Sequence, residues 1–367
     1  MMRLLKCAGF RKYVLGLHLV LAALLATASW ACAQSEIVFW NLENFFDYFD
    51  DGASASDSDF SSRGGRRWTK ARFTKKCNMV GKALLWIGDN CCSEGEAPAV
   101  VGVAEIENGF VLNRLVNSQV LRKMNYGYVH YDSPDRRGID VALLYRRDRV
   151  RVLASRPVHI YGDGGELMRT RDILYAYVEF LPAAKGSCAE GSVSCNGGEN
   201  EVGKAVLPLR IHLLVNHHPS KFSGEKASMH GRELAMAALR DVCDSIVLVS
   251  DSPIVAMGDF NDTPDGRQFH LLEGRLNSLA EPLSGRGEGS IRYEGRWSLI
   301  DHFLVGNVTR PDDDMSVFEM SVLHVPFLMT GDRTHTGFKP LRTYIGPRYA
   351  GGVSDHCPIL LRLWTLN

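Results

Sequence analysis

Short apolar runs, separated by polar and glycine-rich stretches, recur along most of this chain. They are Ile37–Trp40, Ala99–Ala104, Val141–Tyr145, Ile173–Phe180, Leu207–Val215, Ile254–Met257, Leu299–Val305 and Pro358–Leu363. Their lengths suit buried strands. Helical periodicity appears between some of them. Phe73, Cys77, Val80, Leu84 and Ile87 step by four, three, four and three residues, which places them on one helix face. Glu225–Leu248 reads the same way. Strands predominate and do not alternate regularly with helices, so the pattern predicts sheets packed on each other with helices outside rather than one doubly wound sheet. No internal repeat is visible, which argues against solenoids and propellers.

Chemically useful polar residues stand where the apolar runs end. Asn41 follows the first run and Glu105 the second, and Asn216 and His217 close the run Leu207–Val215. Asp259 and Asn261 follow Ile254–Met257, Asp301 and His302 interrupt Leu299–Val305, and Asp355 and His356 precede Pro358–Leu363. Strands that end together at one edge of a sandwich would gather these residues from more than 300 positions of chain.

Composition narrows the function classes. The chain has 367 residues, 45% of them hydrophobic and 23% charged, with 42 basic side chains against 42 acidic. These are globular values, which exclude a disordered chain, a coiled coil and a multi-span membrane protein. Without a global basic excess, any affinity for phosphate must come from a local site.

The first residues change the balance. Arg3, Lys6, Arg11 and Lys12 precede an apolar run from Val14 to about Ala28, and Ala31-Cys32-Ala33 then offers small residues before Gln34. A basic start, a short apolar core and an A-x-A site describe a secretory leader over residues 1–33, with the functional domain over 34–367. Export to the periplasm or outside the cell is therefore expected. Lipidation at Cys32 is the alternative, and the only route to a membrane. Without residues 1–33 the chain is mildly acidic, 38 basic against 42 acidic. Seven cysteines then remain, an odd number, so at least one thiol is free. Cys188 and Cys195 lie in a Gly/Ser/Glu-rich stretch, expected to be a surface insertion over 183–204. There they form either a disulfide in an oxidising compartment or two unpaired loop thiols.

The residue types at the run ends suggest a chemistry. Glu105, Asp259, Asp301 and Asp355 are hard oxygen ligands, with Asn41 and Asn261 as neutral companions. Such donors suit magnesium, or manganese or calcium, better than zinc or copper. His217 and His356 exchange protons or stabilise charge near neutral pH. A hard cation, imidazoles and carboxylates together point to hydrolysis of a phosphate ester.

Seven segments carry a resemblance. They are FWNLENFFD from Phe39, GVAEIENG from Gly102, RRGIDVALLYR from Arg136, VNHHPS from Val215, MGDFNDTP from Met257, SLIDHFLV from Ser298 and SDHCP from Ser354. In content and order the chain resembles the endonuclease/exonuclease/phosphatase superfamily. Secreted deoxyribonucleases, abasic-site endonucleases, neutral sphingomyelinases and inositol polyphosphate 5-phosphatases belong to it. The resemblance implies a four-layer α/β sandwich, two mixed sheets face to face with helices on both outer sides.

It also implies roles. Glu105 would be the principal metal ligand, with Asn41 beside it and Asp355 helping to hold metal or bound water. Asp259 and Asn261 would orient the attacking water and the scissile phosphate. His356 would face that phosphate, with Asp301 fixing its tautomer and favouring its charged form, and His217 would bind a phosphate oxygen. Asp140 is expected to partner a site histidine. Arg169 and Arg171, in MRTRDIL, are either phosphate contacts or solvated strand-edge charges.

VNHHPS stands where abasic-site endonucleases carry a different segment, which places the chain nearer the deoxyribonuclease and sphingomyelinase branches. The Asp/Ser/Gly-rich stretch Asp47–Arg67 is expected to be a solvated loop rather than a substrate loop or calcium site. Lys70, Arg72, Lys75 and Lys76 read as a basic helix face, either solvated or steering a phosphate backbone. The expected activity is a metal-dependent, extracytoplasmic endonuclease acting on nucleic acid. The alternatives are a phospholipid or sphingomyelin phosphodiesterase, a sugar-phosphate phosphatase, or a catalytically idle binding module.

Overall fold

A computed structural model describes residues 33–52, 54, 56–93, 95–181, 208–220, 225–307 and 316–365. Residues 1–32 of the leader expected over 1–33, and the Cys188/Cys195 stretch, lie outside them. The described cysteines Cys77, Cys91, Cys92, Cys243 and Cys357 are free thiols.

Twelve strands make two six-stranded mixed sheets. In chain order they are β1 (Ala33–Phe45), β2 (Val100–Ile106), β3 (Tyr126–His130), β4 (Asp140–Arg146), β5 (Val150–Val158), β6 (Ile173–Phe180), β7 (Arg210–His217), β8 (Ile254–Asp259), β9 (Asn277–Ser278), β10 (Asp301–Gly306), β11 (Ser316–Val322) and β12 (Ile359–Thr365). One sheet runs β11-β12-β1-β2-β4-β3 and the other β5-β6-β7-β8-β10-β9. Each has one central parallel pair, β1 with β2 and β7 with β8, among antiparallel neighbours. Helices α1 (Lys70–Cys91), α2 (Gly109–Val116) and α3 (Glu225–Val247) complete the layers.

Alternation along the strands builds the four layers. Ile37 and Phe39 of β1, Leu213 and Val215 of β7, Val255 and Met257 of β8, and Phe303 and Val305 of β10 share the core between the sheets. Their alternates on β1, Val38 and Trp40, join the α1 stripe Phe73, Cys77, Val80, Leu84 and Ile87. On the other side Leu214, Ala256 and Leu304 meet Ala235, Met236 and Leu239 of α3. The sheets approach closely at Gly102, where an added Cβ would lie 2.8 Å from Met257 Sδ, so a larger residue would force Met257 to move.

One expectation holds in part and another fails. The described residues of 47–67 form a mostly exposed or half-buried loop, but Asp47, Asp57, Phe60 and Ser61 are buried in it, and Phe60 stacks on Phe46 just beyond β1. Lys76 does not sit on an exposed basic face. It lies inside α1's packed side, donating from Nζ to Glu43 O at 2.6 Å and Thr343 Oγ1 at 2.9 Å, with the Phe45 ring 5.0 Å away. A buried amine stays only where it is hydrogen-bonded, and here it joins two segments far apart in the chain. Lys76→Met leaves both acceptors unpaired and is expected to destabilise the fold by about 1 to 3 kcal/mol. A denaturation midpoint equal to wild type would contradict that role.

Candidate active site

The site is a polar continuation of the core between the sheets. On β1, β7, β8 and β10, the residues next in the inward alternation at one end are Asn41, His217, Asp259 and Asp301. Pairing register puts His217 opposite Asp259 on one side and Asp301 opposite it on the other. Asn41 reaches across from the facing sheet, donating from Nδ2 to Asp259 Oδ2 at 2.9 Å.

Glu105 enters differently. By simple alternation it would follow Val101 and Val103 towards the helices. The β2–β4 register instead shifts between Ala104 and Ile106, and Glu105 takes φ +62°. This bulge re-aims the side chain. Asn261 (φ +52°), Glu43 (φ +46°) and Asn44 (φ +49°) share the left-handed region, which costs about 1 to 3 kcal/mol each for such residues. That strain clusters around the site.

Two imidazoles flank Asp259. His217 Nε2 lies 3.7 Å from Asp259 Oδ2 and 3.9 Å from Glu105 Oε1. His356 Nε2 lies 3.7 Å from the same Asp259 oxygen and 3.8 Å from Asp355 Oδ1. His356 Nδ1 meets Asp301 Oδ2 at 2.8 Å, and that oxygen also accepts from Ser290 Oγ. Ser354 Oγ donates to Asn41 O at 2.6 Å and accepts from His356 N, which fastens the approach to β12 onto β1. Asn261 N donates to Asp259 Oδ1 and its Nδ2 to His218 O, both at 2.9 Å.

Electrostatics divide the groups. Burial drives His217 well below the ordinary histidine value, and Arg171 and Arg137 add to the effect, so it is neutral. Burial opposes charge on His356 too, but the carboxylates of Asp301, Asp259 and Asp355 outweigh it and raise its pKa well above the usual value. Burial lifts Asp259 to about 7, against the nearby His356 charge. The result is one neutral imidazole, one charged imidazole, and between them a carboxyl poised near neutrality.

Not every expected residue joins this group. Asp140 accepts from Ser133 N and pairs with His130 Nε2 at 2.9 Å, away from both site histidines. It shares the β4 face of Ala142 and Leu144, which point to the helices, and not that of Val141 and Leu143. Arg171 is neither solvated nor open to substrate. It is buried, donating to His217 O, His218 O and Asp135 Oδ2, so it props up the end of β7. Arg169 is exposed in the turn before it.

Other side chains join the site, most from the same motif segments and some, such as Arg342, from outside them. Glu105 Oε2 accepts from Asn44 N at 2.6 Å and lies 3.3 Å from Arg137 Nη2. Arg342 places Nε on Glu43 Oε1 at 2.8 Å and Nη2 3.0 Å from Asp355 Oδ2. Nearby, Asp47, Asp57 and Glu107 form an acidic cluster in which burial first, and the Asp47 and Asp57 charges next, raise Glu107 to about 8.

The donor set fits a hard divalent cation. Glu105, Asp355 and Asn41 offer oxygens, and the His356 charge only partly offsets burial of the Asp259 carboxylate, which leaves room for the charge a cation provides.

The family described as endonuclease/exonuclease/phosphatase matches residues 36–189 and 205–365. The chain belongs to that family. Its members are phosphoesterases, and this chain carries acidic clusters able to bind a metal. A comparison with curated proteins gave no match. Among solved structures, zebrafish (D. rerio) TDP2 complexed with single-strand DNA product is 15% identical, with TM-score 0.50, covering 90% of this chain and 99% of that one. The human Nocturnin catalytic domain with bound sulfate is 12% identical with TM-score 0.51, covering 90% and 93%. A mannosyl-6-phosphatase of Bacteroides thetaiotaomicron is 14% identical with TM-score 0.51, covering 90% and 99%. At such identities the likeness concerns the fold alone.

Proposed function

We propose that this protein is a magnesium-dependent phosphodiester hydrolase that cleaves nucleic acid outside the cytoplasm. The observation that carries the hydrolase reading is the division of labour around Asp259, flanked by neutral His217 and charged His356. Asp259 accepts a proton from the attacking water, and Asn261 orients that carboxylate through its backbone N–H. His356, held by Asp301, donates a hydrogen bond to a non-bridging phosphate oxygen and stabilises the charge that develops there. His217 contacts a second phosphate oxygen through Nε2. Glu105, Asn41 and Asp355 would hold the cation, which neutralises phosphate charge when bound.

The nucleic-acid preference draws support from the TDP2 structure, solved with single-strand DNA product. The mannosyl-6-phosphatase neighbour supports a sugar-phosphate phosphatase as the second reading. Export rests on the leader expected over residues 1–33.

A panel of supercoiled plasmid, RNA, sphingomyelin and a sugar phosphate, each with magnesium, separates the readings. Plasmid nicking is expected. Release of inorganic phosphate from the sugar alone would replace the endonuclease reading, and inactivity on all four would defeat the hydrolase reading.

The metal is tested separately. Chelation is expected to abolish activity and added magnesium to restore it. Glu105→Gln removes a charge at nearly constant shape, so it should raise the magnesium needed for half-maximal rate by at least about tenfold, the loss of one charge-assisted contact. Full activity of that variant at limiting magnesium would remove Glu105 from the ligand set.

A further inference from the structure

A cavity of about 200 Å³ opens on the Glu105 side of the site, lined in part by Glu43, Asn44, Phe60, Arg66, Arg342 and Tyr344. It shares two walls with the catalytic centre. Asn44 gives its backbone N–H to Glu105, and Arg342 rests on Asp355. None of the reaction steps above uses Arg66 or the cavity.

Both guanidinium groups are held in place before any ligand arrives. Arg66 stacks over the rings of Phe60 and Tyr344, 5.4 Å from each centroid, while Nε donates to Asp59 at 3.0 Å and Nη1 to Gly346 O. Arg342 is aimed by Glu43 and Asp355. A guanidinium has five N–H donors, so each retains donors after these bonds, and the fork matches phosphate geometry.

Further basic side chains lie close by, while Asp59, Glu43 and Asp355 offset part of the charge of Arg66 and Arg342. Arg72 and Lys75 lie over the Tyr349 ring at 4.3 and 5.8 Å, and Lys76 is bonded to Thr343 beneath. The basic residues following Arg66 and those of α1 look unrelated in sequence. In the fold they converge with 342–349 beside the site.

We propose that this cavity binds a second phosphate of the substrate, covalently linked to the one being hydrolysed, through Arg66 and Arg342. The inference rests on the phosphodiester-hydrolase reading and narrows its substrate class. The second phosphate is either the neighbouring phosphodiester of a polynucleotide or another ester on a phosphorylated sugar. A neutral or singly phosphorylated substrate leaves the guanidinium pair unused.

The test compares wild type, Arg66→Gln and Arg66→Lys, with magnesium, on three substrates: a single-stranded oligonucleotide, a sugar bisphosphate and bis(p-nitrophenyl) phosphate. The readout is kcat/KM relative to that on bis(p-nitrophenyl) phosphate, which has no second phosphate. In Arg66→Gln that ratio is expected to fall about 10- to 100-fold, the loss of charge-assisted hydrogen bonds, chiefly through KM. Arg66→Lys should recover part of it by keeping the charge. A fall on the oligonucleotide alone identifies a polynucleotide; a fall on the bisphosphate alone identifies a phosphorylated sugar. An unchanged ratio on both overturns the proposal, as does wild-type hydrolysis of bis(p-nitrophenyl) phosphate alone, and either result leaves the hydrolase reading standing. Inactivity on all three overturns both.

Discussion

Removing either the Asp301 carboxylate or the His356 imidazole is expected to lower turnover by about 10² to 10⁴-fold, the usual worth of positioned proton transfer and charge stabilisation. The bond between His356 Nδ1 and Asp301 Oδ2 makes them one functional unit, with Nε2 turned towards Asp259. Members of such a unit are strongly non-additive, so the double variant should be little slower than the worse single one. Asp301→Asn also withdraws the charge that holds His356 protonated, so the alkaline limb of the pH–rate profile should move to lower pH. A purely structural role for these residues predicts otherwise. The adjacent His302 shows what that role looks like: it turns away, contacts Leu299 O at 3.1 Å and stacks on Phe269 at 4.9 Å. If His356→Ala kept wild-type turnover per folded molecule, its part in the chemistry would be refuted.

The strands were legible because burial imposes a period of two on apolar residues, and the site followed wherever a polar residue continued that period. Asn41, His217, Asp259 and Asp301 are such continuations. Glu105 is not, since its direction depends on a bulge whose positive φ no hydrophobic pattern reveals. Asp140 shows the opposite case: its face could be read from the neighbours Val141 and Leu143, and motif likeness alone drew it towards the wrong histidine. Basic residues misled for another reason. Lys76 and Arg171 read as solvated charges or phosphate contacts because a charged side chain normally lies at the surface, yet each is buried on backbone carbonyls supplied by other segments. Arg342 was invisible, because its contact with Glu43 crosses hundreds of residues.

Asp259→Asn is expected to lower turnover by about 10² to 10⁴-fold, because an amide cannot accept the proton of the attacking water. Its effect on stability should depend on pH in a way that a structural residue would not show. Burial raises the Asp259 pKa from 3.8 to about 7 in the folded state. Between those values the folded protein keeps a proton that the unfolded chain has lost. Stability from this group is therefore full below about pH 4, the ordinary carboxyl value, and falls as pH rises to about 7, by up to about 1.4 kcal/mol per pH unit for one proton. The amide does not titrate, so without metal the variant should gain on wild type across that window and run parallel to it above. Below the window the variant should be the less stable protein. The carboxyl group accepts from both Asn41 Nδ2 and Asn261 N, whereas the amide has one acceptor oxygen for these two donors. Magnesium should then stabilise wild type more than the variant at pH 7, since a nearby cation favours the ionised carboxylate. Thermal midpoints of both proteins from pH 4 to 8, with chelator and with magnesium, give the answer. A difference that stayed constant with pH would mean that Asp259 ionises normally in the fold, and the assignment of a carboxyl poised near neutrality would fall.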